Sequence, residues 1–151
     1  MKLVIMRHGQ ASWSAPSDKE RCLTEQGVRE VSDTVAILAD RQRVDCVFSS
    51  PYLRAQQTGL IVAEAFRLKV ETLDELEPDG NPAKVLDALP DSGVVLLVSH
   101  MPVVGYLAGL LCDGITKKTG PPFQTGMALV LEVDVLAPGM GRIVDRVIPL
   151  S

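Results

Sequence analysis

The stretch KLVIMRHG, residues 2–9, decides the fold and the chemistry expected of this chain. Residues 2–6 form a short apolar run without polar alternation, which is typical of a parallel strand that is buried on both faces. Arg7, His8 and Gly9 follow directly, where the carboxyl end of that strand would lie. Ligands of open α/β sheets collect beyond the carboxyl ends of the strands. The stretch therefore predicts a strand that delivers a guanidinium group and an imidazole to a binding site.

Further apolar runs predict the other strands of the sheet. The run at 94–98 reads as a second fully buried strand, and 45–49 and 127–135 are also predicted strands. Residues 143–148 are expected to add an edge strand.

Helical patterns separate these runs. Thr24 is predicted to cap a first helix, in which apolar residues recur at spacings of three and four from Val28 to Leu38. Ser50 and Pro51 are predicted to open a second helix that runs to about Phe66. A short third helix is expected at 82–89, and a fourth is expected from Pro102 to about Leu111. This alternation predicts one domain over residues 1–151, a three-layer α/β/α sandwich with a mostly parallel central sheet.

Composition excludes several classes of function. The 151 residues carry 15 Lys and Arg against 19 Asp and Glu, a formal net charge of −4, with 46% hydrophobic residues. Such a chain can bury a core, and its negative charge disfavours general binding to nucleic acids or anionic membranes. No apolar run approaches the roughly 20 residues that span a bilayer.

The cysteines and the N-terminus predict where the protein works. The three cysteines are scattered, which indicates neither a disulfide framework nor a clustered zinc site and favours a reducing compartment. Charged residues follow Met6 at once, so the N-terminal run does not resemble a signal peptide. We expect a cytoplasmic protein without a metal or another cofactor.

The two histidines of the chain occupy equivalent places. His8 follows the first strand, and His100 follows the run at 94–98 after Ser99. Arg7 and Arg54 carry guanidinium groups to the same predicted edge of the sheet. A neutral imidazole avoids the repulsion between an anionic nucleophile and a phosphoryl group, and arginine forks neutralise phosphoryl oxygens. The pattern therefore predicts phosphoryl chemistry, with Ser49, Ser50 and Ser99 as helix caps and not nucleophiles.

Four motifs between Met6 and Pro102 carry a family resemblance. They are RHGQASWS at 7–14, LTEQG at 23–27, SSPYLRAQQT at 49–58 and VSHMP at 98–102. In this order they resemble the signature of the histidine phosphatase, or phosphoglycerate mutase-like, superfamily, with Ser14 where asparagine is usual.

The resemblance implies a phosphoglycerate mutase-like fold and a role for each matching residue. His8 would be the phosphorylated nucleophile, and Arg7, Arg54 and His100 would complete the phosphate pocket. Ser14 would add a hydrogen bond to the phosphate. The family needs no metal.

The length of the chain after the second helix points to one branch of the superfamily. Larger members insert long helical segments there, whereas only residues 71–92 occupy this place in the present chain. With the run SHMPVVGYL at 99–107, the chain looks most like bacterial phosphohistidine phosphatases of the SixA type. By that resemblance, the substrate would be a phosphorylated histidine on a signalling or phosphotransfer protein.

A general acid would favour a different substrate. Glu75, in a Leu-x-Glu pattern, matches the position of the family's acid, and Glu77 lies two residues later. Imidazole, with a pKa of about 6.5, leaves more readily than an alkoxide, so a phosphohistidine phosphatase can manage without a strong acid. If Glu75 reaches the pocket, the alternative is a small-molecule phosphomonoesterase.

Two further readings remain open. A module that binds phosphate groups without turnover would not need both histidines, and a mutase would need more chain to enclose its intermediate. The loop at 114–124, with Lys117 and Lys118, is either a docking edge for an acidic partner or an ordinary solvated loop. No pattern in the sequence indicates an oligomeric state.

Overall fold

The computed structural model describes residues 1–115 and 120–150. Within these ranges the elements are β1 (Lys2–Arg7), α1 (Glu25–Arg41), β2 (Cys46–Ser49), α2 (Leu53–Phe66), β3 (Val70–Thr72), α3 (Pro82–Ala88), β4 (Val94–Ser99), α4 (Val103–Asp113), β5 (Ala128–Val133) and β6 (Gly141–Val147). Two 3-10 turns lie at Asp18–Glu20 and Asp74–Leu76. Lys117 and Lys118 lie outside the described residues. Across the described parts of the chain, none of the helices combines the length and the apolar character needed to cross a bilayer.

The described strands form one sheet in the order β3-β2-β4-β1-β5-β6. Neighbours from β3 to β1 pair in parallel, whereas β5 and β6 are antiparallel to their neighbours. The predicted mostly parallel sheet is therefore confirmed, and β6 is the edge strand expected at 143–148.

Side chains of the central strands point alternately into two apolar layers. In β1, Leu3 and Ile5 pack in a cluster with α3 and α4, whereas Val4 and Met6 pack in a second cluster with α1 and α2. All four side chains are fully buried. Helices thus cover both faces of the sheet, and the predicted three-layer sandwich is confirmed.

The register of the parallel strands aligns their carboxyl ends. Arg7 at the end of β1 pairs with Ser99 at the end of β4, and Ser49 at the end of β2 pairs with Val98. The residues that follow these three strands must therefore emerge together at one edge of the sheet. This register is the reason that distant parts of the chain build one site.

Two details of the predicted elements are wrong. The second helix begins at Leu53 because Tyr52 is extended, and Ser50 Oγ accepts a hydrogen bond from the Tyr52 N–H ahead of the helix. The short edge strand β3 was not predicted, because Val70–Thr72 is too brief and polar to show a period.

The prediction that Thr24 caps α1 is confirmed, since its Oγ1 accepts a hydrogen bond from the Gly27 N–H at 2.9 Å.

Two glycines let α1 pack against the chain that follows β1. A Cβ atom on Gly9 would lie 2.6 Å from the Gly27 carbonyl oxygen, and a Cβ on Gly27 would fall on the backbone of Gln10. A side chain at either position would push the backbone next to His8 away from the helix. The Gly9 N–H also donates a hydrogen bond to Thr58 Oγ1 at 3.2 Å, which ties the same segment to α2.

We predict that Gly27→Ala lowers the free energy of unfolding by about 2 kcal/mol. Overpacking costs about 1–3 kcal/mol, and a clash with backbone atoms lies at the upper end of that range. The helix-propensity gain of about 1 kcal/mol from replacing glycine offsets part of this cost. Gly59→Ala is the matched control, because a Cβ there meets its nearest neighbours at 3.4 Å, near ordinary contact. Urea unfolding of both variants tests the point, and equal stability of the two would contradict it.

Candidate active site

His8 and His100 meet at the carboxyl edge of the sheet. Their ring centroids are 5.0 Å apart, although 92 positions (100 − 8) separate them in the chain. The His8 N–H donates a hydrogen bond to the Ser99 carbonyl at 3.1 Å, which continues the pairing of β1 with β4 beyond the strand ends. Both rings are buried, with exposures of 6% and 2%.

One hydrogen bond assigns the tautomer of His8. Its Nδ1 lies 2.7 Å from the Gly9 carbonyl oxygen, which can only accept, so Nδ1 carries the proton. The lone pair of a neutral ring is then on Nε2, where it accepts a 3.3 Å hydrogen bond from Arg54 Nε. Nε2 is therefore the ring nitrogen that can act as a nucleophile, and it faces a guanidinium group.

The surroundings keep His8 neutral at physiological pH. Burial lowers the pKa of His8 to about 4, and the positive charges of Arg54, Arg7 and Arg21 lower it in the same direction, while the hydrogen bond to Gly9 opposes them. A neutral imidazole, with one ring nitrogen unprotonated, is the form that a nucleophile requires.

His100 is held by a hydroxyl group. Its Nε2 lies 2.7 Å from Ser50 Oγ, which also accepts a hydrogen bond from the Tyr52 N–H. A hydroxyl can donate to or accept from this ring nitrogen, so the contact fixes the place of the ring and leaves Nδ1 without a hydrogen-bond partner in the described part of the chain. Burial, followed by the neighbouring His8 and the arginines, lowers the pKa of His100 to about 2.

Arg7 and Arg54 bring two cations to the histidines. Arg7 Nη1 donates a 2.8 Å hydrogen bond to the Phe123 carbonyl, and Arg54 Nη1 donates a 2.7 Å hydrogen bond to the Asp18 carbonyl. Among the described residues, Arg7 Nε and His100 Nδ1 are the buried side-chain nitrogens without a hydrogen-bond partner. Two nitrogens of the site are thus unpaired, although buried polar groups are nearly always bonded.

A pocket of about 330 Å³ lies over these groups. Its lining combines the four predicted side chains with residues from three loops: Arg7, His8, Gln10, Ala11, Trp13, Arg21, Arg54, His100, Met101 and Thr125.

The sequence analysis missed a small ionic network beside this pocket. Asp18 accepts hydrogen bonds from Arg21 Nη1 at 3.2 Å and from Arg54 Nη2 at 3.4 Å. Burial alone would raise the pKa of the Asp18 carboxyl, but its bond to Arg21 and the charge of Arg54 lower it below the usual value. The three-residue spacing from Asp18 to Arg21 was a weak signal of an ion pair, and nothing local linked either residue to Arg54.

Two predicted site residues do not line the pocket. Ser14 is exposed, and its backbone N–H donates a hydrogen bond to Ser12 Oγ. Glu75 lies half-buried in the 3-10 turn Asp74–Leu76. Both were predicted from their positions in motifs, and the direction of a side chain in a loop or turn depends on the path of the surrounding backbone.

The predicted capping role is wrong for all three serines. Ser50 Oγ accepts the Tyr52 N–H in the turn ahead of α2, and the cap residue of that helix is Tyr52, without a side-chain cap bond. Ser49 and Ser99 instead donate their hydroxyl protons, to the Ser50 carbonyl at 2.9 Å and to the Leu76 carbonyl at 2.6 Å. These bonds satisfy buried hydroxyls at the strand ends.

Within the described residues, no group of three or more His, Cys, Asp or Glu side chains is placed to hold a metal ion.

We predict that Arg54→Gln raises the pKa of His8 above its value of about 4 but leaves it below 6.5, because burial is the larger cause. Chemistry that needs the free base of His8 is lost as the pH falls through that pKa, so its acid limit moves to higher pH in the variant. Ring chemical shifts in an NMR titration measure this directly. Arg41→Gln is the control, since Arg41 pairs with Asp145 away from this pocket. An unchanged pKa of His8 in Arg54→Gln would show that the charge of Arg54 does not lower it.

Comparisons with known proteins agree with this geometry. Residues 3–77 match the model of the histidine phosphatase superfamily (branch 1). The chain is 41% identical over 143 residues to the phosphohistidine phosphatase SixA of Escherichia coli (strain K12), an alignment that covers 89% of this chain and 86% of the relative. It is 37% identical over 127 residues to a SixA homolog of Haemophilus influenzae, covering 74% and 77% of the two chains.

A solved structure extends the likeness to nearly the whole chain. The protein histidine phosphatase SixA complexed with tungstate superposes with a TM-score of 0.85 at 33% identity, covering 99% of this chain and 97% of that one. The identity to these relatives and the shared fold confirm the resemblance that the four motifs indicated. This chain belongs to the histidine phosphatase superfamily, and its fold is the phosphoglycerate mutase-like fold of that family.

Proposed function

We propose that this chain is a protein phosphohistidine phosphatase that works through a phosphorylated His8. The observation that carries the proposal is the Nε2 lone pair of a neutral His8, directed at Arg54, in a pocket that Arg7 and His100 also line with an unpaired nitrogen each. A nucleophile and several cationic or neutral donors around one small volume match the needs of a phosphoryl group. The names of the SixA relatives support the same substrate class.

The first step transfers the phosphoryl group to His8. The Nε2 lone pair attacks phosphorus, and the P–N bond to the partner's imidazole breaks with its electron pair remaining on that nitrogen. The partner's ring leaves as neutral imidazole when its other nitrogen carries a proton. His8 becomes positively charged because Nδ1 keeps its proton, and the Gly9 carbonyl at 2.7 Å stabilises that charge.

The second step releases phosphate. A water oxygen attacks the phosphorus, the P–N bond to His8 breaks, and the electron pair returns to Nε2. The proton lost by the water passes to the phosphate or to solvent. Arg7, Arg54 and His100 would hold the equatorial oxygens through both steps, so catalysis consists mainly of positioning and charge stabilisation.

The shape of the site favours a phosphate presented by a protein. Between α2 and β4 the chain forms only β3, one 3-10 turn and α3, and none of residues 67–93 lines the pocket. The pocket therefore has no wall from this segment. A phosphohistidine on a protein surface can reach His8 without passing a lid formed by this segment, whereas a small ester would gain no enclosure from it.

The place of Glu75 argues in the same direction. An alkoxide leaving group needs a general acid, which the small-molecule alternative assigned to Glu75. Glu75 does not line the pocket, and imidazole leaves without strong acid assistance. The phosphomonoesterase reading therefore lacks its proposed acid.

The proposal includes a cytoplasmic role in signalling. Phosphotransfer proteins carry phosphorylated histidines, and such proteins would be the partners of this chain. Cys22, Cys46 and Cys112 are free thiols, in keeping with a reducing compartment.

The direct test uses a phosphotransfer domain labelled on its histidine with radioactive phosphate. We expect wild-type protein to release the label, with His8→Ala slower by roughly 10⁴-fold or more, because the nucleophile is lost. Rapid acid-free quenching should trap label on wild-type protein only. Release by the wild type at the rate of His8→Ala would disprove the proposed function.

Glu75→Gln separates the two substrate classes. We expect its loss of kcat/KM on the phosphotransfer domain to stay below about tenfold, whereas a general acid contributes about 10²–10⁴-fold. Glu77→Gln, assayed beside it, covers the neighbouring carboxylate. A loss of about 10²-fold or more in Glu75→Gln, seen for alkyl phosphates, would instead support the phosphomonoesterase.

A further inference from the structure

Trp13 is the single tryptophan of the chain, and it stands at the mouth of the phosphate pocket. Its side chain is 84% exposed, which makes it one of the most exposed large apolar residues in the described part of the chain. Exposed tryptophan at the edge of a functional pocket is unusual for a residue that serves only packing. Tryptophan and arginine are also the residue types most enriched where proteins bind each other.

The indole rests on a rigid base. The guanidinium carbon of Arg21 lies 3.7 Å from the centre of the Trp13 ring, a stacked cation–π contact. Arg21 is itself fixed, since its Nε donates to the Ser12 carbonyl at 2.9 Å and its Nη2 to the Ala11 carbonyl at 3.3 Å. Its third nitrogen, Nη1, bonds to Asp18. Arg21 is therefore in place before any partner arrives, and it supports one face of the indole, which reduces the entropy lost on binding.

A small phosphate cannot account for this arrangement. Its oxygens would bind to the buried groups around His8. The indole, which is 84% exposed, would then remain mostly in contact with water. A phosphohistidine on a protein differs, because its short side chain brings the partner's surface to the mouth of the pocket. Whatever lies next to that histidine must then approach Trp13, which lines the same pocket.

We propose that Trp13, supported by Arg21, is a contact residue for the protein that carries the phosphohistidine, and that it packs against an apolar side chain beside the phosphorylated residue. This inference rests on the proposed function and deepens it. Trp13 then raises the preference for phosphohistidine in a protein over free phosphohistidine. The chemistry at His8 is the same for both substrates.

The test compares kcat/KM on two substrates that share the same P–N bond, a phosphorylated phosphotransfer domain and free phosphohistidine. We expect Trp13→Ala to lower the ratio of the two values at least about tenfold, the effect typical of a central interface residue. Trp13→Phe, which keeps an aromatic ring over Arg21, should recover part of the ratio. Val135→Ala is the matched control, because Val135 is 61% exposed but follows β5, whose end pairs with the start of β1 at the opposite edge of the sheet.

The single indole gives a second measurement that does not depend on turnover. When the phosphorylated domain saturates His8→Ala, as followed by calorimetry, we expect the tryptophan emission to shift to shorter wavelength as the ring leaves water. An unchanged emission at saturation, or an equal loss on both substrates in Trp13→Ala, would overturn the inference while leaving the phosphatase function intact. A wild-type protein active on free phosphohistidine but inactive on the domain would overturn both.

Discussion

The hydrogen bond from His8 Nδ1 to the Gly9 carbonyl is the interaction on which the site depends. It leaves the lone pair of the ring on Nε2, and only that nitrogen faces Arg54. The bond requires the backbone at Gly9 to hold one conformation, and that backbone is fixed from two sides. Gly27 allows α1 to pack directly against it, and Thr58 of α2 receives its N–H. Helix packing on one face of the sheet therefore decides which nitrogen of His8 carries the lone pair.

The electrostatics of the site follow from burying cations beside neutral rings. Arg7 and Arg54 reinforce the effect of burial on both histidines, so each ring remains an uncharged base. The arginines need compensation in turn, since buried charges without partners are costly. Asp18 supplies part of it, and it does so from the exposed side, where it also holds Arg21. The result is a positive pocket that carries its counter-charge at the rim and not on its floor.

The connection between α2 and β4 links the topology to the substrate. Because this segment contributes no residue to the pocket, the site is bounded mainly by the loops that follow β1 and β4. An open site gives little help to a poor leaving group, which suits a phosphoramidate better than an alkyl ester. In the proposed function, recognition of the protein substrate falls to the mouth of the pocket, where Trp13 stacks on Arg21.

The sequence by itself determined the buried strands, the helices between them and the four side chains that meet at the site. Apolar runs, cap residues and the motifs after each strand are local signals, and parallel pairing brings the residues that follow such strands to one edge. The tertiary structure alone decided the contacts of Asp18, Arg21 and Trp13, the absence of Ser14 and Glu75 from the pocket lining, and the edge strand β3. These depend on where loop side chains point and on contacts such as the one between Asp18 and Arg54. No local period encodes such contacts, because their energies arise only after the helices have packed on the sheet.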